Sequence, residues 1–161
     1  MGYHVLMVCT GNICRSPMAK VLLESRLPDS MKASVIVASA GTNALDGESA
    51  TDQAVQVMAE RGLDLSGHVA EFLSFERMKN SDLILVMEKD HLKHIQFFYR
   101  PVKDKAHLLR EFGAKRKGGG VPDPYGKPLK TYRACADLIE SCMDGVIAHI
   151  EKTYIESSRY D

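Results

Sequence analysis

No stretch of this sequence stays apolar for the roughly 18 residues that a membrane-spanning helix requires. Excess charge is missing too. Acidic and basic residues stand at 21 each, so no global field draws the chain to nucleic acid or to an anionic membrane surface. Cysteine is scarce: four in 161 residues are too few for a secreted disulfide scaffold. Neither Cys9/Cys14 nor Cys135/Cys142 has the C-x-x-C spacing of a zinc site, and His91 and His94 have no cysteine nearby, so no metal is expected. The segment Met1-Gly2-Tyr3-His4 lacks the basic region and long apolar stretch of a secretory signal, and Leu6 stands where a myristoylation motif wants Ser or Thr. What remains is an ordinary cytoplasmic globular protein, 45% apolar and 26% charged, with material for a real core. With no internal repeat and no linker, residues 1–161 are expected to form one domain.

The chain alternates apolar runs with helical patterns. His4–Val8, Ser34–Ala38 and Leu83–Met87 read as strands, and Lys105–Leu109 as a short fourth. Helical spacing marks Met18–Arg26, with Pro17 in the first turn, then Thr51–Arg61 stopped by Gly62, and Glu88–Phe98. Apolar positions from Cys135 to Ile150 predict one long amphipathic helix over Thr131–Tyr154. Uninterrupted apolar strands between helices argue for a parallel sheet covered on both faces, a three-layer, doubly wound α/β fold. Between Glu111 and Lys130 the pattern fails, which in a compact domain predicts a functional loop or disorder. Its Lys115-Arg116-Lys117 triplet is most simply a solvated turn; its proline-bracketed Asp123 invites a chemical role.

Ligands of such sheets bind beyond the carboxyl ends of the strands, where Cys9 falls. In Cys9-Thr10-Gly11-Asn12-Ile13-Cys14-Arg15-Ser16 a thiol and a guanidinium flank a strand-to-helix turn. Backbone N–H groups of residues 10–15 can form a nest for one phosphate, with the positive end of the next helix aimed at the same point. Arg15 offers a planar fork for two phosphate oxygens, which lysine cannot reproduce. The same fields favour a Cys9 thiolate, to which Ser16 can donate. Gly11 and Asn12 are the types best able to take left-handed backbone angles. The loop lacks the second glycine and the lysine of G-x-x-x-x-G-K-S/T, and no G-x-G-x-x-G is present. A thiolate attacking a phosphomonoester needs a proton donor for the departing oxygen, and Asp123 is the natural general acid.

The loop, its place early in the chain and the late Asp123-Pro124-Tyr125 together resemble the low-molecular-weight protein tyrosine phosphatases. The resemblance implies a flavodoxin-like, four-stranded parallel sheet of order 2-1-3-4 and neither metal nor other cofactor. It implies that Cys9 forms a phosphocysteine, that Arg15 binds the phosphate and that Asp123 acts as acid and then base. Thr10, Gly11, Asn12, Ile13, Cys14 and Ser16 would complete the phosphate-binding loop, with Ser39 and His68 supporting it. Cys14 would be a redox partner able to form a reversible disulfide with Cys9. Ile13, Leu45 and Tyr125 would line the substrate pocket. Phosphotyrosyl proteins become the expected partners, a bacterial tyrosine kinase among them, and phosphate and similar oxyanions the expected ligands. Three positions depart from the family pattern: Gly126 and Leu45 where aromatics are common, and Glu71 where arginine is common.

Rival readings stay open on the same loop. Protein arginine phosphatases resemble this chain in the segment around Asp123 but carry threonine where it has Ile13; an apolar side chain there suits a phenyl ring better than a guanidinium. Thioredoxin-linked arsenate reductases need two relay cysteines near the end of the third strand, and Val86-Met87-Glu88-Lys89-Asp90-His91 holds none. A silent oxyanion-binding module would lack the nucleophile or the acid, and both residue types are present.

Overall fold

The computed structural model describes residues 2–114 and 119–158. Lys115-Arg116-Lys117 lies outside them. Four strands, β1 (Tyr3–Cys9), β2 (Val35–Gly41), β3 (Leu83–Val86) and β4 (Ala106–Leu108), form a parallel sheet of order β2-β1-β3-β4. That is the order expected from the family resemblance. β1 lies between β2 and β3, with Val5 facing Val37 on one side and Leu83 on the other.

Because side chains alternate along a strand, β1 feeds two cores. Val5, Met7 and Cys9 join one with α1 (Arg15–Arg26), α3 (Asp52–Glu60), α6 (Leu129–Glu140) and α7 (Met143–Ser157). Leu6 and Val8 join the other, closed by Met78 of α4 (Phe75–Lys79) and Ile95 of α5 (Lys89–Phe98). The central strands β1 and β3 are thus buried on both faces, which is why they read as unbroken apolar runs. Each fully buried Leu, Ile or Met here contributes about 1.5–3 kcal/mol. Among the described residues no helix is long and apolar enough to cross a membrane.

Three expectations need correction. The predicted C-terminal helix is two helices, broken at Ser141-Cys142. There the Ser141 hydroxyl donates to the Leu138 carbonyl at 2.6 Å and the Cys142 N–H turns back to Ile139, so side chain and backbone tighten the last turn. Gly145 accounts for the new direction: a Cβ there would stand 2.0 Å from the Phe112 carbonyl oxygen, so α7 approaches the Leu109–Phe112 turn closer than any side chain allows. The fourth strand is shorter than its apolar pattern, with short 3₁₀ segments at Arg100–Lys105 and Leu109–Phe112 on either side. Finally α2 (Asp29–Lys32) and α4 carry no strong period and were not anticipated.

Candidate active site

β1 ends at Cys9 and α1 begins at Arg15, so the intervening turn sits at the carboxyl end of the central strand. The turn is pressed against the end of β2. Thr42 N–H donates to the Cys9 carbonyl and Asn43 N–H to the Thr10 carbonyl, each at 2.9 Å. Gly41 makes this approach possible, since a Cβ there would lie 2.4 Å from the Thr10 carbonyl oxygen.

Of the two residues expected to take left-handed angles, only Asn12 does so, at φ 55°. It is fully buried and both ends of its amide are engaged. Nδ2 donates to Ser16 Oγ at 2.8 Å, and Oδ1 accepts the Glu71 N–H at 3.0 Å. Its carbonyl accepts from His68 Nε2 at 2.6 Å. Burial lowers the His68 pKa, so the ring is a neutral donor that holds the loop without adding charge. Gly11 stays out of the left-handed region; a Cβ there would meet only the Ile13 side chain, at 3.4 Å.

Cys9 Sγ is buried and touched by two donors. Ser16 Oγ stands 2.9 Å away and the Asn12 N–H reaches it at 3.3 Å. Because Ser16 Oγ accepts from Asn12, its own proton is free for the sulfur, the more distant Ala40 carbonyl being 3.5 Å off. Arg15 is 2% exposed. Its Nη1 contacts Glu88 Oε1 at 3.0 Å and the Val121 carbonyl at 2.9 Å, and its Nη2 lies 3.7 Å from Asp123 Oδ2. Its Nε is buried and has no hydrogen-bond partner among the described residues. An orphaned guanidinium N–H costs about 1–3 kcal/mol unless an acceptor meets it, and Arg15 lines the same hollow as Cys9.

Asp123 serves two ends. Oδ1 accepts the Tyr125 N–H at 3.1 Å, a local turn, while Oδ2 faces Arg15 from a half-exposed position. The turn role and the chemical role are therefore compatible. The acid-bearing segment is fastened from below: Val121 N–H donates to the Met87 carbonyl, and Arg110 Nη1 donates to the Gly120 carbonyl.

Cys9, Thr10, Gly11, Ile13, Cys14, Arg15, Asp123 and Tyr125 line one hollow of about 200 Å³. Leu45 is not among them; it is exposed on a turn whose Asp46 carboxylate is tied to the Phe72 N–H. Ser39 is buried on β2, and its hydroxyl makes no hydrogen bond to the loop; it flanks a neighbouring hollow with His68, Glu71 and Arg77. Glu71, the departure noted in the sequence, pairs with Arg77 of α4, so a cation reaches this region from another element. Cys14 Sγ is engaged by Tyr132 Oη at 3.3 Å and Thr51 Oγ1 at 3.6 Å, and burial raises its pKa. Cys9 and Cys14 are both free thiols. Cys135 and Cys142 are buried, and burial pushes the Cys135 thiol up to about 12, which leaves it unsuited to a thiolate relay.

Sequence reasoning missed Glu88 and His91. Their one signal was position, since both follow β3 at the carboxyl end of the sheet. Glu88 meets Arg15. His91 Nδ1 accepts the Glu88 N–H at 3.1 Å, and its Nε2 lies 2.8 Å from Thr10 Oγ1. Among the described residues, no group of three or more His, Cys, Asp or Glu side chains is arranged to hold a metal ion.

Comparison with known proteins agrees with this chemistry. The chain is 36% identical over 147 residues to the low molecular weight protein-tyrosine-phosphatase Ptp of Acinetobacter johnsonii, covering 91% of this chain and 97% of that one. It is 39% identical over 140 residues to Wzb of Escherichia coli K12, another low molecular weight protein-tyrosine-phosphatase, covering 87% and 90% of the two chains. Among solved structures, the YwlE arginine phosphatase from Geobacillus stearothermophilus superposes with a TM-score of 0.84 at 35% identity, with 96% of each chain covered. A thiol, a guanidinium and a carboxylate around one phosphate-sized hollow, and a family model matching residues 4–156, lead to one conclusion: the chain belongs to the low molecular weight phosphotyrosine protein phosphatase family.

Proposed function

We propose that the protein hydrolyses phosphotyrosine in proteins through a phosphocysteine intermediate on Cys9. The observation that carries this reading is the buried Arg15, whose Nε has no hydrogen-bond partner among the described residues, lining the same hollow as Cys9 with Asp123 Oδ2 3.7 Å from its guanidinium. In the first step the Cys9 thiolate attacks phosphorus, the P–O bond to the tyrosyl oxygen breaks, and Asp123 gives that oxygen its proton. Arg15 and backbone N–H groups of the loop bind the equatorial oxygens as charge shifts among them. In the second step Asp123, now a carboxylate, takes a proton from water as the water oxygen attacks phosphorus; the P–S bond breaks and the thiolate returns.

Ile13 and Tyr125 give the hollow an apolar side, which supports a phenyl ring over a charged guanidinium. The similarity to an arginine phosphatase makes phosphoarginine the rival to exclude. The test is a side-by-side rate comparison on phosphotyrosyl and phosphoarginyl peptides, with para-nitrophenyl phosphate as a common reference. We expect turnover of the reference compound, faster hydrolysis of phosphotyrosine, and a shift towards phosphoarginine in Ile13→Thr. No turnover of any substrate by pure protein would sink the enzyme reading; an unchanged ratio in the variant would remove Ile13 from specificity.

A further inference from the structure

Thr10 is an exposed residue of the phosphate loop, and His91 is 4% exposed; the two are 81 positions apart and meet at 2.8 Å. The direction of that bond follows from the other side of the ring. His91 Nδ1 accepts the Glu88 N–H, so it carries no proton, and the ring hydrogen sits on Nε2. Nε2–H therefore donates to Thr10 Oγ1, and the hydroxyl's own proton must point elsewhere. Thr10 lines the hollow that holds Cys9, Arg15 and Asp123. Arg15 and Asp123 also act electrostatically on His91. Ile13 and Tyr125 also border a second groove, together with Thr51 and Tyr132.

We propose that His91 is a positioning residue for the reaction: by donating to Thr10 Oγ1 it aims the Thr10 hydroxyl proton into the pocket as a further donor to the bound phosphomonoester. The inference rests on the phosphatase reading above. It assigns Thr10 contact with substrate and gives His91 no contact of its own. The arrangement needs a neutral ring, because a proton on Nδ1 would confront the Glu88 N–H with a second donor.

The test begins with wild-type turnover of para-nitrophenyl phosphate, whose absence overturns the phosphatase reading itself. Given turnover, Thr10→Val should lower kcat/KM roughly 3- to 10-fold, the size of one neutral hydrogen bond, while Thr10→Ser, which keeps the hydroxyl, should lose clearly less. His91→Leu should lose about as much, and the Thr10→Val/His91→Leu double variant should lose no more than Thr10→Val alone. Additive losses overturn the proposal, as does a wild-type rate in Thr10→Val. His91→Gln keeps an N–H donor and should retain most activity; should His91→Leu fail to fold, this variant and the tautomer decide. In the ¹⁵N spectrum of the wild-type imidazoles, His91 should show hydrogen on Nε2 at neutral pH; hydrogen on Nδ1 would refute the assignment.

Discussion

Arg15 holds three partners at once, Glu88, the Val121 carbonyl and Asp123, and its Nε has none among the described residues. A lysine could keep the charge but has no Nε in the plane of a fork. Arg15→Lys should therefore cut kcat/KM by roughly 10²–10³-fold or more, while the melting temperature changes little. A small loss would mean that charge alone suffices. Asp123 makes a different demand, because only a poor leaving group needs its proton. Asp123→Asn should slow phosphotyrosine hydrolysis far more than hydrolysis of aryl phosphates with acidic phenols; equal losses would take Asp123 out of the acid role.

The turn between β1 and α1 is shaped as much by β2 as by its own residues. Gly41→Ala would drive a methyl to 2.4 Å from the Thr10 carbonyl, between two main-chain segments that cannot yield separately. The expected cost is about 1–3 kcal/mol of stability, seen as a lower urea midpoint, together with a loss of kcat/KM larger than the stability loss explains. Gly41 was not legible in the sequence, because its constraint is a tertiary approach and not a local turn. The central strands were legible, since burial on both faces leaves an unbroken apolar run. Cys9, Arg15, Ser16 and Asp123 were legible because phosphate chemistry restricts those positions to few residue types. Glu88 and His91 were not: each acts on the loop only through folding, and His91 on a helix reads like any core histidine. The break between α6 and α7 contains no proline or glycine at Ser141-Cys142, so the apolar period runs through it unmarked. Leu45 was placed in the pocket by family position alone, and its turn carries it to the surface.

Three histidines, His68, His91 and His149, are held below their ordinary pKa by burial and contribute to the acid limit of the molecule. Burial and the Arg15 charge lower the His91 pKa to about 4, against opposing effects of Asp90 and Asp123, with His94 adding to the lowering. His68 is lowered by burial in the same direction. A folded-state value below the unfolded one, near 6.5, means the unfolded chain binds more protons between them. Stability from these rings is thus fully present above about pH 6.5 and lost as the pH falls towards the folded values. Urea unfolding at pH 7 and pH 5 should show a lower midpoint at pH 5, and His91→Gln should flatten that difference. An unchanged slope in the variant would show that His91 does not carry it.

The supports of the phosphate loop come from distant parts of the chain: Ala40 and Gly41, His68 and Glu71, Glu88 and His91, then Val121. No short segment contains enough of them to hold Asn12 left-handed or Arg15 in place. Enzymatic competence should then emerge only at the end of refolding, after the sheet has closed. Recovered turnover would be a clock for the last cooperative step, running behind any probe of helix formation and never ahead of it.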